Sequence, residues 1–314
     1  MLKIVSVLLV AFLFTVGFAC RGSSVRSVTS YDKIGIYAKF VKFYNDKMAS
    51  DKYLFYYPEG HLAKAPIVLF LPGGNANIMG YKGIMQFIAS HGYFVIGTTV
   101  SGEYSDYLTN IAFDKALAVA KKTYPEMDFS KLAVMGHSQG GGLAFPVMQH
   151  LLNGGAFGSK KNIVISIDGW FPFEMNQKDL RELKTMAAFV QFGGYKGTGT
   201  DPRITLSILN LIDDTNEKAY ITLNDHRQHS YSSGDLKTIL ARKDLLKPIM
   251  ALLDYKLKSD QNAKHIVLNG YKKTVKKVNA ALSPVGASCK GRYNSTRIVI
   301  KNDIDYCHPE LYKQ

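Results

Sequence analysis

Six short apolar runs recur along the chain and constrain its fold more than any other feature. They are Ile67–Leu71, Tyr93–Thr99, Leu132–Met135, Ile163–Ile167, Ala187–Phe192 and Ala219–Leu223. Each is rich in Val, Ile, Phe or Tyr and bounded by turn formers, as strands are. They are near-continuously apolar, which suits strands buried on both faces of a parallel sheet. Helical periodicity falls between several of them. Ile84, Phe87 and Ile88 mark one helix, and Phe113, Ala116, Leu117 and Ala120 mark a second at i, i+3, i+4 and i+7. Leu246, Ile249, Met250 and Leu253 mark a third, with Pro248 expected in its first turn. Upstream, Ile36–Tyr44 and Tyr53–Tyr57 read as an antiparallel entry hairpin. The alternation predicts an α/β fold: a doubly wound, mostly parallel sheet with helices on both faces. Ligands bind such sheets beyond the carboxyl ends of the strands.

The chain has 314 residues, 46% hydrophobic and 20% charged, which excludes a disordered chain. No fixed-period repeat is visible, so solenoids are excluded. Past the N-terminus no run approaches the roughly 20 apolar residues that span a bilayer. Residues 1–19 carry Lys3 and then an apolar stretch from Ile4 to Phe18, with Gly17 and Ala19 as small residues before Cys20. This reads as a secretory signal. Cys20 is a candidate lipidation site, which would place the protein at a membrane by its acyl chains. Residues 20–31 are expected as a linker, 32–270 as the catalytic domain and 271–314 as a basic C-terminal segment. Export predicts a periplasmic, outer-membrane lipoprotein or extracellular location. In an oxidising compartment Cys289 and Cys307, 18 positions apart, are expected to form a disulfide. Its loop closure would contribute about 3 kcal/mol. The formal charge is +14, and loss of Lys3 with the leader leaves 38 basic against 25 acidic residues, or +13. Such a surface favours anionic membranes or cell-surface partners. No nucleic-acid fold signature accompanies it.

The sharpest motif is Gly136-His137-Ser138-Gln139-Gly140. A strand precedes this G-x-S-x-G and helical character follows it over Gln139–Leu152. That context marks a nucleophile elbow, a strained turn that lifts a serine hydroxyl above a sheet. Stabilising an alkoxide needs preorganised donors. The amide of Gln139 is one. The second is expected in Leu71-Pro72-Gly73-Gly74-Asn75 after an earlier strand, from Gly74, with Asn75 as the alternative and as a substrate contact. A serine also needs a base. In the order serine, acid, histidine, His229 is the expected base and His226, in the same loop, the alternative. The acid that orients the imidazole is expected at Asp201, the only carboxylate in 193–202. Asp168, ending the preceding strand, is the alternative, with Asp213 and Asp214 less suited. Tyr81, Trp170, Phe171 and Phe173 are expected to ring the site.

With these residues placed, the chain resembles the α/β-hydrolase superfamily. Within it the likeness is to bacterial cutinase-like polyester hydrolases, related to dienelactone hydrolases. The resemblance rests on Leu71-Pro72-Gly73, Ala89-Ser90-His91-Gly92, the glycines Gly140–Gly142 after the elbow, and Trp170 in Asp168-Gly169-Trp170. It implies a serine esterase with Trp170 as a substrate contact, and no metal or organic cofactor. Cys289 and Cys307 match a C-terminal disulfide common there. Gln139 stands where that family usually has Met, and Gly74 and Asn75 where it places an aromatic. The rival readings are an amidase or peptidase with the same triad, and a non-catalytic hydrolase scaffold acting as a surface-binding lipoprotein. Ser138 argues against a dienelactone-type cysteine enzyme.

Overall fold

The computed structural model describes residues 31, 33–45, 53–74, 76–98, 106–171, 177–192, 205, 208–209, 211–223, 234–241 and 243–268. Its strands are β1 (Val41–Asn45), β2 (Tyr53–Pro58), β3 (Pro66–Leu71), β4 (Phe94–Thr98), β5 (Asp128–His137), β6 (Lys161–Ile167), β7 (Met186–Phe192) and β8 (Lys218–Leu223). They form one sheet in the order β1-β2-β4-β3-β5-β6-β7-β8. The first two strands pair antiparallel, as does β2 with β4, and all later pairs are parallel.

The helices are α1 (Lys82–Ser90), α2 (Asp106–Thr123), α3 (Gln139–Asn153), α4 (Gln177–Glu182), α5 (Leu236–Leu240), α6 (Lys243–Lys258) and α7 (Gln261–Leu268). Two cores flank the sheet. One joins Ile84 and Phe87 of α1, Leu246 and Leu253 of α6 and Val267 of α7 to Val68, Phe70, Met135 and Ile165. The other joins Phe113 of α2 and Val147 of α3 to Ile67, Leu69, Val134 and Val164. Alternate residues of one strand thus serve opposite faces, which is why its sequence shows no polar alternation. Each fully buried Leu, Ile or Phe contributes about 1.5–3 kcal/mol.

The apolar runs locate every core strand, and three particulars differ. Strand β5 begins at Asp128, earlier than the apolar run, because its first residues lie only half-buried at the sheet margin. The first arm of the entry hairpin is shorter than expected, since Ala38–Phe40 forms a 3₁₀ turn before β1. Pro248 sits inside α6, not in its first turn. The helix forgoes one backbone bond there, offset by the buried row Leu245, Leu246, Ile249, Met250, Leu252 and Leu253. No helix among the described residues is long and apolar enough to cross a membrane.

Candidate active site

The central strands end level. Leu71 pairs with Gly136, and Gly136 with Ser166. Two residues further on, the chain reaches Gly73, Ser138 and Asp168, side by side beyond the carboxyl ends of β3, β5 and β6.

Ser138 is the single residue between β5 and α3. Its backbone has φ 53° and ψ −120°, a conformation that costs a non-glycine residue energy. The turn is fixed by its neighbours. The Ser138 amide donates to Ile167 O at 2.9 Å, and the Ser138 carbonyl accepts from Gly141 N at 2.9 Å and Trp170 N at 2.8 Å. Helix α3 also starts very close to β3. A Cβ on Gly140 would overlap the carbonyls of Pro72 and Leu71, and one on Gly136 would overlap the carbonyl of Gly140. Only glycine admits this approach. Gln139 opens α3, so its amide has no acceptor within the helix.

The loop after β3 lies beside the serine, since a Cβ on Gly73 would stand 3.4 Å from Ser138 Cβ. The Gly73 amide is committed: it donates to the Tyr81 hydroxyl at 3.0 Å. Gly74 is the next residue and is exposed.

Asp168 is fully buried and has φ 45°. Its Oδ1 accepts from Gln191 Nε2 at 2.6 Å and from the Phe192 amide at 3.4 Å. Gln191 Oε1 in turn accepts from Thr205 Oγ1 at 3.2 Å. Four non-glycine residues among those described have positive φ, and two of them are Ser138 and Asp168 on adjacent strand ends. Such outliers cluster at functional sites.

A model of the chlorophyllase family matches residues 32–169. That family lies in the α/β-hydrolase superfamily, and the mostly parallel eight-stranded sheet agrees with it. The chain has the α/β-hydrolase fold. At this level the match implies a serine ester hydrolase in the broad sense. The matched span includes the loop after β3, Ser138 and Asp168, and ends at Gly169. No curated protein matches the chain.

Among the residues expected at a hydrolase site, Gln139 follows Ser138 at the start of α3, and Gly74 follows Gly73, which lies beside Ser138. Trp170 is half-buried, with its backbone tied to Ser138. Asn75, Asp201, His226, His229, Cys20, Cys289 and Cys307 lie outside the described residues. Asp213 and Asp214 precede β8, at the opposite end of the sheet from Ser138. Other histidines are occupied elsewhere: His150 with Asp114 at 2.8 Å, and His91 Nδ1 with the Phe87 carbonyl at 2.9 Å.

Two aromatics do not ring the site as expected. Tyr81 and Phe171 are each 1% exposed. Phe171 packs against Phe145 and Phe189. Tyr81 is a hydrogen-bonding member of the site's floor, with its hydroxyl on the Gly73 amide and 2.8 Å from His137 Nδ1. Nothing local in the sequence marks that role, because His137 lies 56 positions further along the chain. Among the described residues no three His, Cys, Asp or Glu are grouped to hold a metal.

Proposed function

We propose that the chain is a serine carboxylic-ester hydrolase that works through an acyl-enzyme on Ser138. The observation that carries this is the backbone of Ser138, in its left-handed turn between β5 and α3. Ser138 Oγ attacks the ester carbonyl carbon, the base takes its proton, and the amides of Gln139 and Gly74 hold the oxyanion. The alcohol leaves with that proton. Water, activated by the same base, then releases the acid and restores the serine.

The base in this reading is His229, with His226 as the alternative. Support comes from where their segment is anchored. Residues 224–233 join Leu223, at the end of β8, to Gly234. Gly234 exchanges backbone bonds of 3.0 Å with Gly80 and Gly83, just after β3. Strand β5 stands between these anchors in the sheet order. The acid is Asp201 on the β7–β8 connection. A second reading assigns it to Asp168, favoured by that carboxylate's burial and strained backbone beside the elbow.

The substrate class proposed is an apolar or aryl ester, and the polyester type suggested by the cutinase-like resemblance belongs to the same class. No cofactor is invoked. The leader, acylation at Cys20, export to the periplasm, outer membrane or exterior, and contact with anionic membranes through the basic surface complete the proposal. The intact mass of the natural protein tests the first two. A non-reducing peptide map tests the Cys289–Cys307 bond. The domain limits 32–270 and 271–314 are tested by limited proteolysis.

The deciding experiment is turnover of p-nitrophenyl esters from acetate to palmitate, wild type against Ser138→Ala. Chlorophyll and a polyester film belong in the same panel, and the chain-length optimum sizes the acyl pocket. Turnover by wild type and none by Ser138→Ala supports the reading. Equal turnover by both would end it. Cleavage of amides but not esters would favour the amidase alternative.

A further inference from the structure

Three loops meet on the short segment Ile78–Gly83 between β3 and α1. Its Tyr81 hydroxyl accepts from the amide of Gly73, on the oxyanion side, at 3.0 Å. The same hydroxyl lies 2.8 Å from Nδ1 of His137, the residue before the serine. On its other side, Gly80 and Gly83 exchange backbone bonds with Gly234, where the chain returns from residues 224–233. The Tyr81 ring is 1% exposed and packs on Phe70 of β3, with centroids 5.1 Å apart. His137 is 3% exposed, and its ring lies beside Tyr81 and Phe192. A phenol so enclosed has one proton to give and lone pairs to receive.

We propose that Tyr81 is a positioning residue for the esterase site: its hydroxyl accepts the Gly73 N–H, donates its own O–H as a hydrogen bond to His137 Nδ1, and so fixes the oxyanion loop against the nucleophile elbow. The inference rests on the ester-hydrolase reading of Ser138. Its physical content is a relay of one orientation. Gly73 N–H to Tyr81 O–H to His137 Nδ1 leaves His137 as the Nε2–H tautomer. It also turns the Gly73 peptide away from the serine, so that the following amide, of Gly74, faces the developing oxyanion. An oxyanion donor displaced by an ångström loses much of its effect, because that effect depends on preorganisation. Tyr81 touches no reacting atom in this scheme.

The test has two arms. In the first, ¹⁵N NMR of histidine-labelled protein reads the His137 tautomer, which needs no activity. Wild type is expected to hold the Nε2–H form, and Tyr81→Phe to lose that preference. A wild-type ring protonated at Nδ1 overturns the relay. In the second arm, the rate of Ser138 labelling by a fluorophosphonate is measured. There the serine oxygen bonds to phosphorus, fluoride leaves and the base takes the proton. Tyr81→Phe is expected to lower this rate, and kcat on the best ester, about ten- to a hundredfold. KM should stay within about threefold, the mark of an interaction made in the transition state.

His137→Leu is the second variant, should Tyr81→Phe fold poorly. Its loss should match, and the double variant should be no worse than either single one. Unchanged rates in the folded single variants, or additive losses in the double, overturn the proposal. If wild-type Ser138 takes no label and turns over no ester, the hydrolase reading falls, and the proposal that Tyr81 serves it falls with it. The NMR arm then shows whether the hydrogen-bond relay exists by itself.

Discussion

Trp170 donates its backbone N–H to the carbonyl oxygen of Ser138 over 2.8 Å. The Ser138 amide donates the other way, to Ile167 at 2.9 Å. The turn carrying the serine is therefore held by β6 as well as by its own helix. A left-handed backbone at a non-glycine residue costs about 1–3 kcal/mol and persists only where its surroundings impose it.

The tightest part of that turn is steric, and Gly140→Ala tests it. The new methyl would meet the carbonyls of Leu71 and Pro72, which are backbone and cannot rotate aside. Overpacking of this kind costs about 1–3 kcal/mol, and more where the main chain must move. Urea unfolding should register at least that loss. A change below about 0.5 kcal/mol would mean that α3 does not press on β3.

The acid and base are separable by conservative amides. His229→Gln should lower kcat by about a thousandfold or more, and His226→Gln by less than tenfold. Asp201→Asn should cut kcat by about 10⁴ with an unchanged unfolding midpoint. If that loss appears in Asp168→Asn while Asp201→Asn stays near wild type, the acid belongs at the end of β6.

At the far end of the sheet, Tyr93 donates to Asp254 Oδ1 at 2.6 Å, and Lys258 lies 3.1 Å from the same oxygen. Burial and the Asp254 carboxylate hold the Tyr93 hydroxyl well above its ordinary range, so it stays protonated. Asp254→Ala leaves that buried hydroxyl without its acceptor, at about 1–3 kcal/mol. Tyr93→Phe should cost less, because Asp254 keeps Lys258. The opposite ranking in urea unfolding would contradict this arrangement.

His91 gives a pH signature. Burial lowers its pKa against the opposing pull of the Phe87 carbonyl and Asp254, and nearby Lys258 lowers it further. The unfolded chain takes up a proton near pH 6.5, while the folded imidazole waits for lower pH. Between those two values the unfolded state binds more protons, so stability falls as pH falls. The wild-type melting temperature should decline below about pH 6.5 and level off under the folded pKa. His91→Gln should show a shallower decline. Equal slopes would remove His91 as a source.

Much of the sheet was readable because its strands are local apolar runs, and the elbow because it is a local motif. What could not be read depends on partners far along the chain. Tyr81 looks like any loop aromatic until His137 is placed against its hydroxyl. Asp168 and Asp201 are indistinguishable as letters, since burial and backbone strain decide between carboxylates. Pro248 misleads because helix propensity is local, whereas the burial that overrides it comes from the opposing sheet.

Strand β3 is buried over its whole length, with Ile67, Leu69 and Leu71 in one core and Val68 and Phe70 in the other. A slip of one residue would exchange these sets without exposing anything apolar. Hydrophobicity is therefore nearly silent on where β3 stops along β5, since a one-residue slip is costly only where one face is solvent-exposed. The contact of Gly140 with Leu71 and Pro72 supplies a mechanical stop. The glycine that lets the serine turn also tells the central strands when they are in step, so alignment of the sheet and assembly of the site are a single event.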